Sequence, residues 1–478
     1  MKKILTYFIL LLSFSGFAQS AITWTAGMNV SANSYGNLHP RIVVDHSGNP
    51  MIIWGRMSDA SIFFSRWNGT AFTIPVKLNP SWISIATASW MGPDIASKGD
   101  TVYVVMKRTP EATDTNHIYI VRSFNGGINF SSPARVEIIA DSISRFPTVT
   151  IDASGKPIVA FMKFNSSFGD ARWAVTKSSN YGTTFLTDVK ASGQNGGTVC
   201  DCCPGGIINS GNNIAMLYRA NLSNIRDSWA GISSDNGTSF PNGYNIDQNS
   251  WNLNACPATG PDGVIINDSL YSVFMSGASG TSRTYLSKSS ISNSSVNTVD
   301  MLTGNITGLS TQNYPRIDRF GNAVAIVWKQ TVSGVDQLPI LFTNNIANGF
   351  PAMFENVDLA DITNTDVALS NGNIFVVWED DNSGTVKYRK GTFTPVTTSI
   401  NEMKENHLAV YPNPANKEIN INFASSANFE IEILNTFGET IIKGVNKNTI
   451  DISQFPNGIY FLKVKEENHF YSRKIIKQ

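Results

Sequence analysis

Three of the four cysteines lie within nine residues, "TVCDCCPGG" from Thr198 to Gly206, and the fourth, Cys256, stands in "NACPATGPD". The spacing Cys200-x-Cys202-Cys203 is too tight for a zinc ribbon, which sets its thiols in two separated knuckles. Two kinds of chemistry stay open. Cys256 can form a disulfide with one of the three, or the thiolates can ligate a soft metal such as Cu(I) or Zn(II). A set of arginines is the second group with chemical reach. Arg41 and Arg316 each follow a proline, Arg145 lies two positions before one, and Arg56, Arg108 and Arg219 end apolar strands. Arg226 adjoins Asp227. Guanidiniums gathered at one place would clamp a carboxylate or sulfate through paired hydrogen bonds, whereas each one alone is more commonly tied to a nearby carboxylate. The acids placed to act with them are Asp94, Asp227, Asp262, Glu111 and Glu379.

These side chains need a frame, and the chain's N-terminus first says where that frame works. "MKKILTYFILLLSFSGFAQS" has two lysines, an apolar stretch, then small residues at Gly16, Ala18 and Ser20. This is the pattern of a signal peptide over residues 1–18, with a mature chain from about Gln19. The run is short for a membrane span and no second one follows, so no transmembrane segment is expected. Export favours disulfide over thiolate-bound metal. Lys+Arg and Asp+Glu balance at 36 each and only 15% of residues are charged, which excludes the basic field of a nucleic-acid binder.

The frame is a repeat. "HPRIVVDHSGNPMIIW" from His39 returns as "GPDIASKGDTVYVVM", "FPTVTIDASGKPIVAFM", "CPGGIINSGNNIAMLY", "GPDGVIINDSLYSVFM", "YPRIDRFGNAVAIVW" and, without the proline, "TDVALSNGNIFVVW". From Pro40 through Pro93, Pro147, Pro204, Pro261 and Pro315 to Thr365 the steps are 53, 54, 57, 57, 54 and 50 residues. Each copy is a β-hairpin, and each step has room for four strands, the content of one propeller blade. The expected fold is all-β: a seven-bladed β-propeller over 22–395, with six blades and one degenerate unit as the alternative. The last unit is one strand short, and residues 22–30 have the pattern to supply it. In such a ring the inner strands all begin on one face, which would bring Cys200, Cys202, Cys203 and Cys256 to one rim of one channel.

A second pattern, Ser-x-Asp-x-Gly-x-x-Phe, recurs between outer strands: Ser233, Asp235, Gly237 and Phe240 in full; Ser123, Asn125, Gly127 and Phe130, and Ser178, Asn180, Gly182 and Phe185, with Asn for Asp. Ser65, Gly69 and Phe72 form a weaker copy. An Asx side chain bonding its own backbone, a Gly at positive φ and a plugging aromatic make this a structural turn. These residues resemble the Asp-boxes of the sialidase superfamily. The resemblance implies the propeller but not an activity. Cys200, Cys202, Cys203, Arg219, Arg226, Asp227, Trp251, Cys256 and Pro257 further resemble a Cys-x-Cys-Cys branch of such propellers, which implies a site without naming its substrate. Sialidase chemistry would require a tyrosine nucleophile activated by a glutamate, and no Tyr-Glu pair is recognisable by spacing.

After a linker at 396–407 the blade period ends. Residues 408–478 alternate apolar and polar positions between Asn, Gly and Pro turns, the pattern of a small antiparallel β-sandwich. Tyr411-Pro412-Asn413-Pro414, Phe437-Gly438, Pro456-Asn457-Gly458-Ile459-Tyr460 and the terminal Lys-Ile-Ile-Lys resemble the type A sorting domain of type IX secretion cargo in Bacteroidetes. That resemblance implies the type IX machinery as partner and a secreted or cell-surface location. The reading that follows is a propeller binding a glycan or protein ligand at its funnel through Arg41, Arg145, Arg219, Arg226 and Arg316. A sialidase-like hydrolase of acidic glycans and a thiol-ligated metal protein are the alternatives.

Overall fold

The computed structural model describes residues 22–31, 36–111, 113, 116–137, 142–194, 197–302, 306–359, 361–395, 408–423, 428–436, 438–466 and 469–478. The expected signal peptide, the linker and Phe437 lie outside the described residues. The chain divides into two compact units, Met1–Val396 and Thr397–Gln478.

Among the described residues the first unit contains seven antiparallel sheets, six of them built from consecutive strands and one that also takes in strands from the N-terminus. Their innermost strands are Asn37–Val44, Asp94–Lys98, Ser142–Ile151, Gly206–Ser210, Asp262–Ile266, Leu309–Phe320 and Ile362–Ser370. Each touches the next, and the seventh touches the first, so the sheets form a closed ring. The unit is a β-propeller. In the last sheet, Thr23–Trp24 and Met28–Asn29 pair with the outermost repeat strand Thr385–Thr392. The N-terminal segment thus fills the place that the seventh repeat leaves open, and a sheet edge that would template aggregation is covered.

The second strand of each repeat is a continuous apolar run because sheets pack on both of its faces. Met51 to Trp54, Val102 to Met106 and Val324 to Trp328 are buried. The cores lie between sheets: Tyr103 and Val105 pack with Val149, Val159 and Phe161 of the next sheet. Ile42, Ile52 and Trp54 of the first pack with Phe375, Val377 and Tyr388 of the seventh.

The outer turns follow the Ser-x-Asx-x-Gly pattern. Ser233 Oγ donates to Asp235 Oδ1 at 2.7 Å and accepts the Gly237 N–H at 2.8 Å. Ser123 and Ser178 repeat this with Asn125, Gly127, Asn180 and Gly182. The three glycines take φ of 76°, 80° and 75°, a conformation that a Cβ makes costly. Phe185 and Phe240 are buried, and Phe130 meets Phe64 edge-on at 4.9 Å. The weaker copy departs from the pattern. Ser65 Oγ donates to the Thr73 carbonyl, and Asn68 caps the turn in its place.

The second unit pairs a three-stranded sheet with a four-stranded one around one core of Ile419, Ile421, Ile431, Ile433, Leu462 and Val464. Strand Gly458–Glu466 alternates as the sequence pattern requires, with Tyr460, Leu462 and Val464 inward. The Pro-Asn-Pro turn is pinned to the final strand: Asn413 Oδ1 accepts the Ile476 N–H at 2.8 Å and its amide donates to the Lys474 carbonyl at 2.6 Å. Two motif fragments far apart in sequence therefore hold each other.

Candidate functional site

The site grows from an irregularity at the start of the inner strand in most of the repeats. Pairing between the first two strands slips at Leu38/Arg41, Arg145/Thr148, Asn313/Arg316 and Ile362/Thr365. In three of these bulges the residue before proline, His39, Phe146 or Tyr314, sits at φ 55°, 50° or 50°. Such a backbone costs on the order of 1 kcal/mol per residue and re-aims the side chains that follow. In the fourth sheet the slip is enlarged: the inner strand breaks into Thr198–Val199 and Gly206–Ser210, both paired with Asn213–Asn221, and the cysteine loop occupies the gap.

The segments leading into all seven inner strands meet at the mouth of the axial channel, a cavity that leaves about 70 Å³ for water-sized occupants. His39, Arg41, Trp90, Asp94, Phe146, Thr148, Tyr314, Arg316 and Asn364 are on its wall. Gly92 is required here, since a Cβ would lie 2.7 Å from the His39 ring. Gly260 is required one arc away, where a Cβ would meet the Pro204 carbonyl oxygen at 2.1 Å. Asp94 and Arg316 also line a second cavity of about 350 Å³ with Asp318 and Asp366, so a charged layer partitions the channel.

Within that layer the acids are committed to structure. Asp94 accepts the Val149 N–H at 3.0 Å and the Thr148 hydroxyl at 2.7 Å. Asp262 accepts the Ile317 N–H at 3.1 Å, and Asp366 the Ile42 N–H at 3.0 Å. Each carboxylate stitches its inner strand to the next. Arg316 bridges Asp262 at 3.4 Å and Asp366 at 3.0 Å, and although burial alone would lower its pKa, these two acids raise it. Asp262 and Asp318 are pushed up by burial, Asp318 to about 7.

Arg41 is in a different state. It is 9% exposed, and its guanidinium bonds His39 Nε2 at 2.7 Å and the Pro40 carbonyl at 2.8 Å. Among the described residues no carboxylate lies within ion-pair distance of it. Burial, followed by repulsion from Arg316, lowers its pKa to about 10. Burial, Arg41 and Arg316 hold the His39 imidazole well below its ordinary value, so it is neutral and accepts from Arg41. The backbone N–H of His39 donates to Glu379, which also accepts from Asn364 at 3.0 Å. Burial raises the Glu379 carboxyl, and it shares a hydrogen bond with Asp381.

The other expected arginines are engaged elsewhere. Arg145 pairs with Glu111, donates to the Asp201 carbonyl at 3.2 Å and lies over Phe146 and Trp90. It fastens the cysteine loop to the aromatic rim. Arg219 is fully buried, its donors spent on the carbonyls of Arg226, Met275 and Thr259 and its face against Trp251. Arg226 donates to the Leu253 carbonyl, and Asp227 accepts from Asn245, Ser250 and Trp251. Arg219, Arg226 and Asp227 thus support a loop wall and are not part of the clamp that their sequence positions suggested.

The four cysteines do converge. Cys202 and Cys256 form a disulfide across 54 residues, joining the fourth and fifth sheets, with Cα atoms 6.2 Å apart. Cys200 and Cys203 are buried free thiols with sulfurs 2.8 Å apart, and Cys200 Sγ lies 3.6 Å from Cys202 Sγ. The hydrogen bond with Cys203 lowers the Cys200 pKa, aided by Arg219 and Arg226, while burial raises that of Cys203. The sulfurs of Cys200, Cys202 and Cys203 lie within 4.8 Å of one another, a separation suited to one soft ion, but Cys202 is committed to Cys256.

His39, Trp90, Tyr314, Asn364 and Asp366 were not singled out by residue type. Their signal was position, within two residues of a repeat proline or its equivalent, or in the loop leading to one.

The class of molecule is now defined: an all-β propeller followed by a separate sandwich. A family described as the secretion system C-terminal sorting domain matches residues 409–478. The tail therefore indicates engagement with the type IX secretion system and a surface or secreted location. No curated protein matches the chain. Similar solved structures include a protein of unknown function from Dyadobacter fermentans, 9% identical, covering 78% of this chain and 99% of its own with TM-score 0.46. An α-L-arabinofuranosidase of Fusarium graminearum is 11% identical over 69% of this chain and 99% of its own, TM-score 0.45. Trypanosoma rangeli sialidase is 10% identical over 92% and 84%, TM-score 0.43. No activity is carried over from any of them. Among the described residues no helix is long and apolar enough to cross a membrane.

Proposed function

We propose that the exported propeller binds an anionic group at the mouth of its axial channel, the carboxylate or sulfate of a glycan or an acidic group on a protein, with Arg41 as the anchor. The supporting observation is a buried guanidinium at a channel mouth that, among the described residues, bonds a neutral imidazole and a carbonyl and no carboxylate. Asp366, Asp94 and Asp262 offset its charge only from a distance, so an incoming anion would give it the direct partner it lacks. The small free volume suits a terminal charged group, with the body of the ligand lying across Trp90 and Tyr314. The sorting module would be removed on export, leaving the propeller released or surface-attached.

The test is an array of sialylated, uronate-bearing, sulfated and neutral oligosaccharides, followed by calorimetric titration of the hits. Binding should be confined to acidic members and weaken ~30-fold or more in Arg41→Met, as for a charge pair worth about 2 kcal/mol. Equal binding of neutral sugars, or an Arg41→Met protein of unchanged affinity, would refute it.

One observation favours a hydrolase as the second reading. Glu379, raised by burial and hydrogen-bonded to Asp381, lies within electrostatic reach of Tyr314 on the channel wall. A carboxyl that burial keeps protonated near neutral pH is what acid catalysis of glycoside cleavage needs. This reading requires turnover of an acidic oligosaccharide that disappears in Glu379→Gln while binding persists.

A further inference from the structure

The cysteine cluster adjoins the channel mouth through Pro204 and Gly205, and its four sulfurs are not equivalent. Cys256 is exposed, Cys202 is half-buried, and Cys200 and Cys203 are buried. The sulfurs therefore form a graded line from solvent to interior: Cys256 bonded to Cys202, Cys202 Sγ 3.6 Å from Cys200 Sγ, and Cys200 Sγ 2.8 Å from Cys203 Sγ. The loop is rigidly held. Cys200 N–H donates to the Arg219 carbonyl at 2.8 Å, Cys203 N–H closes a turn onto the Cys200 carbonyl, and Arg145 grips the Asp201 carbonyl. In an oxidising compartment a staple alone needs two cysteines. Two further thiols lie in contact with it, in the spacing Cys200-x-x-Cys203.

We propose that these residues form a thiol–disulfide exchange centre, in which the buried Cys200–Cys203 dithiol passes its two electrons to the Cys202–Cys256 disulfide and through it to an external disulfide. The Cys200 thiolate attacks Cys202 Sγ, the bond to Cys256 breaks, and Cys256 leaves as a thiolate that takes a proton from water. Cys203 loses its proton to water and attacks Cys200 Sγ, forming the Cys200–Cys203 disulfide and releasing Cys202 as a thiolate. One S–S bond is broken and one formed, so this stage needs no other oxidant. The exposed Cys256 thiolate then attacks the external disulfide, giving a mixed disulfide and one free thiol. Cys202 resolves it, restoring Cys202–Cys256 and releasing the second thiol. The substrate class is a solvent-accessible disulfide on a small molecule or a protein. Attack rates in such exchanges depend on thiolate fraction and access, which Cys200 and Cys256 respectively supply.

The experiment uses the full mature protein, purified without reductant and titrated with glutathione disulfide at pH 7.5. Acid quenching, differential alkylation and peptide mass spectrometry map the products. The expected result is two glutathione thiols released per chain, with a new Cys200–Cys203 disulfide beside an intact Cys202–Cys256 one. The double variant Cys202→Ser/Cys256→Ser, which removes the relay disulfide and keeps the buried pair, should release none. Cys200→Ser, which keeps the Cys202–Cys256 staple and hence the fold, should also release none. Cys200 and Cys203 remaining as thiols would overturn the proposal. So would undiminished release from the Cys202→Ser/Cys256→Ser variant, or a metal ion bound by Cys200 and Cys203 in the protein as isolated.

Discussion

Two arcs of the same ring use the same repeat position in different ways. Across the fifth, sixth, seventh and first sheets the residues just after the repeat proline or its equivalent are Asp262, Arg316, Asp366 and Arg41, and neighbours are joined by charge and by carboxylate-to-backbone hydrogen bonds. Across the fourth and fifth sheets the corresponding segment carries thiols, and neighbours are joined by a covalent bond. Where a carboxylate precedes a guanidinium around the ring the pair is structural. Arg41 follows Asp366, but Arg316 already holds that acid, and among the described residues Arg41 has no carboxylate in direct contact.

The comparison can be broken at its strongest link first. Cys256→Ser opens a loop of 54 residues, and the chain-entropy relation gives a loss of about 4 kcal/mol, read as a lower denaturation midpoint. Arg316→Met on the charged arc leaves Asp262 and Asp366 without their cation and should cost about 3 kcal/mol, against little change for Arg41→Met. A similar loss in both arginine variants would erase the distinction between structural and available guanidinium. The charged arc should also respond to pH. Asp318 has a folded pKa raised by burial to about 7, so its native state retains a proton that the unfolded chain gives up near pH 4. Its stabilising contribution is complete below the unfolded value and is lost as pH rises to about 7. The midpoint should fall across that window in the native protein and flatten in Asp318→Asn. The smallest effect is expected outside both arcs: Ser233→Ala deprives the buried Gly237 N–H of its acceptor and should cost about 1 kcal/mol in thermal or denaturant unfolding.

The ring was legible in the sequence because a repeat forces each proline to an equivalent place, and ring geometry then gathers what adjoins those prolines. Arg41, Asp94, Asp262 and Arg316 were found that way, as was the approach of Cys256 to the Cys200 loop. Which side chains remain available was not legible. Arg219 and Arg41 look alike as strand residues, yet one is capped by three backbone carbonyls from loops 7 to 56 residues away and the other is not. Burial of Glu379 and its contact with Asp381 likewise depend on register shifts, and spacing does not specify those. His39 and Tyr314 escaped notice because the left-handed backbone that turns them toward the axis has no strong residue signature outside glycine.

Completion of the last sheet by the N-terminal segment couples the two ends of the propeller in time. Thr23 and Thr392 hydrogen-bond across 369 residues, so the first strand has no partner until almost the whole unit has been synthesised. Until then both the opening strand and the unfinished sheet expose unpaired backbone. A chaperone that shields extended apolar segments would find its targets there, and a chain interrupted anywhere before Thr385 would never latch.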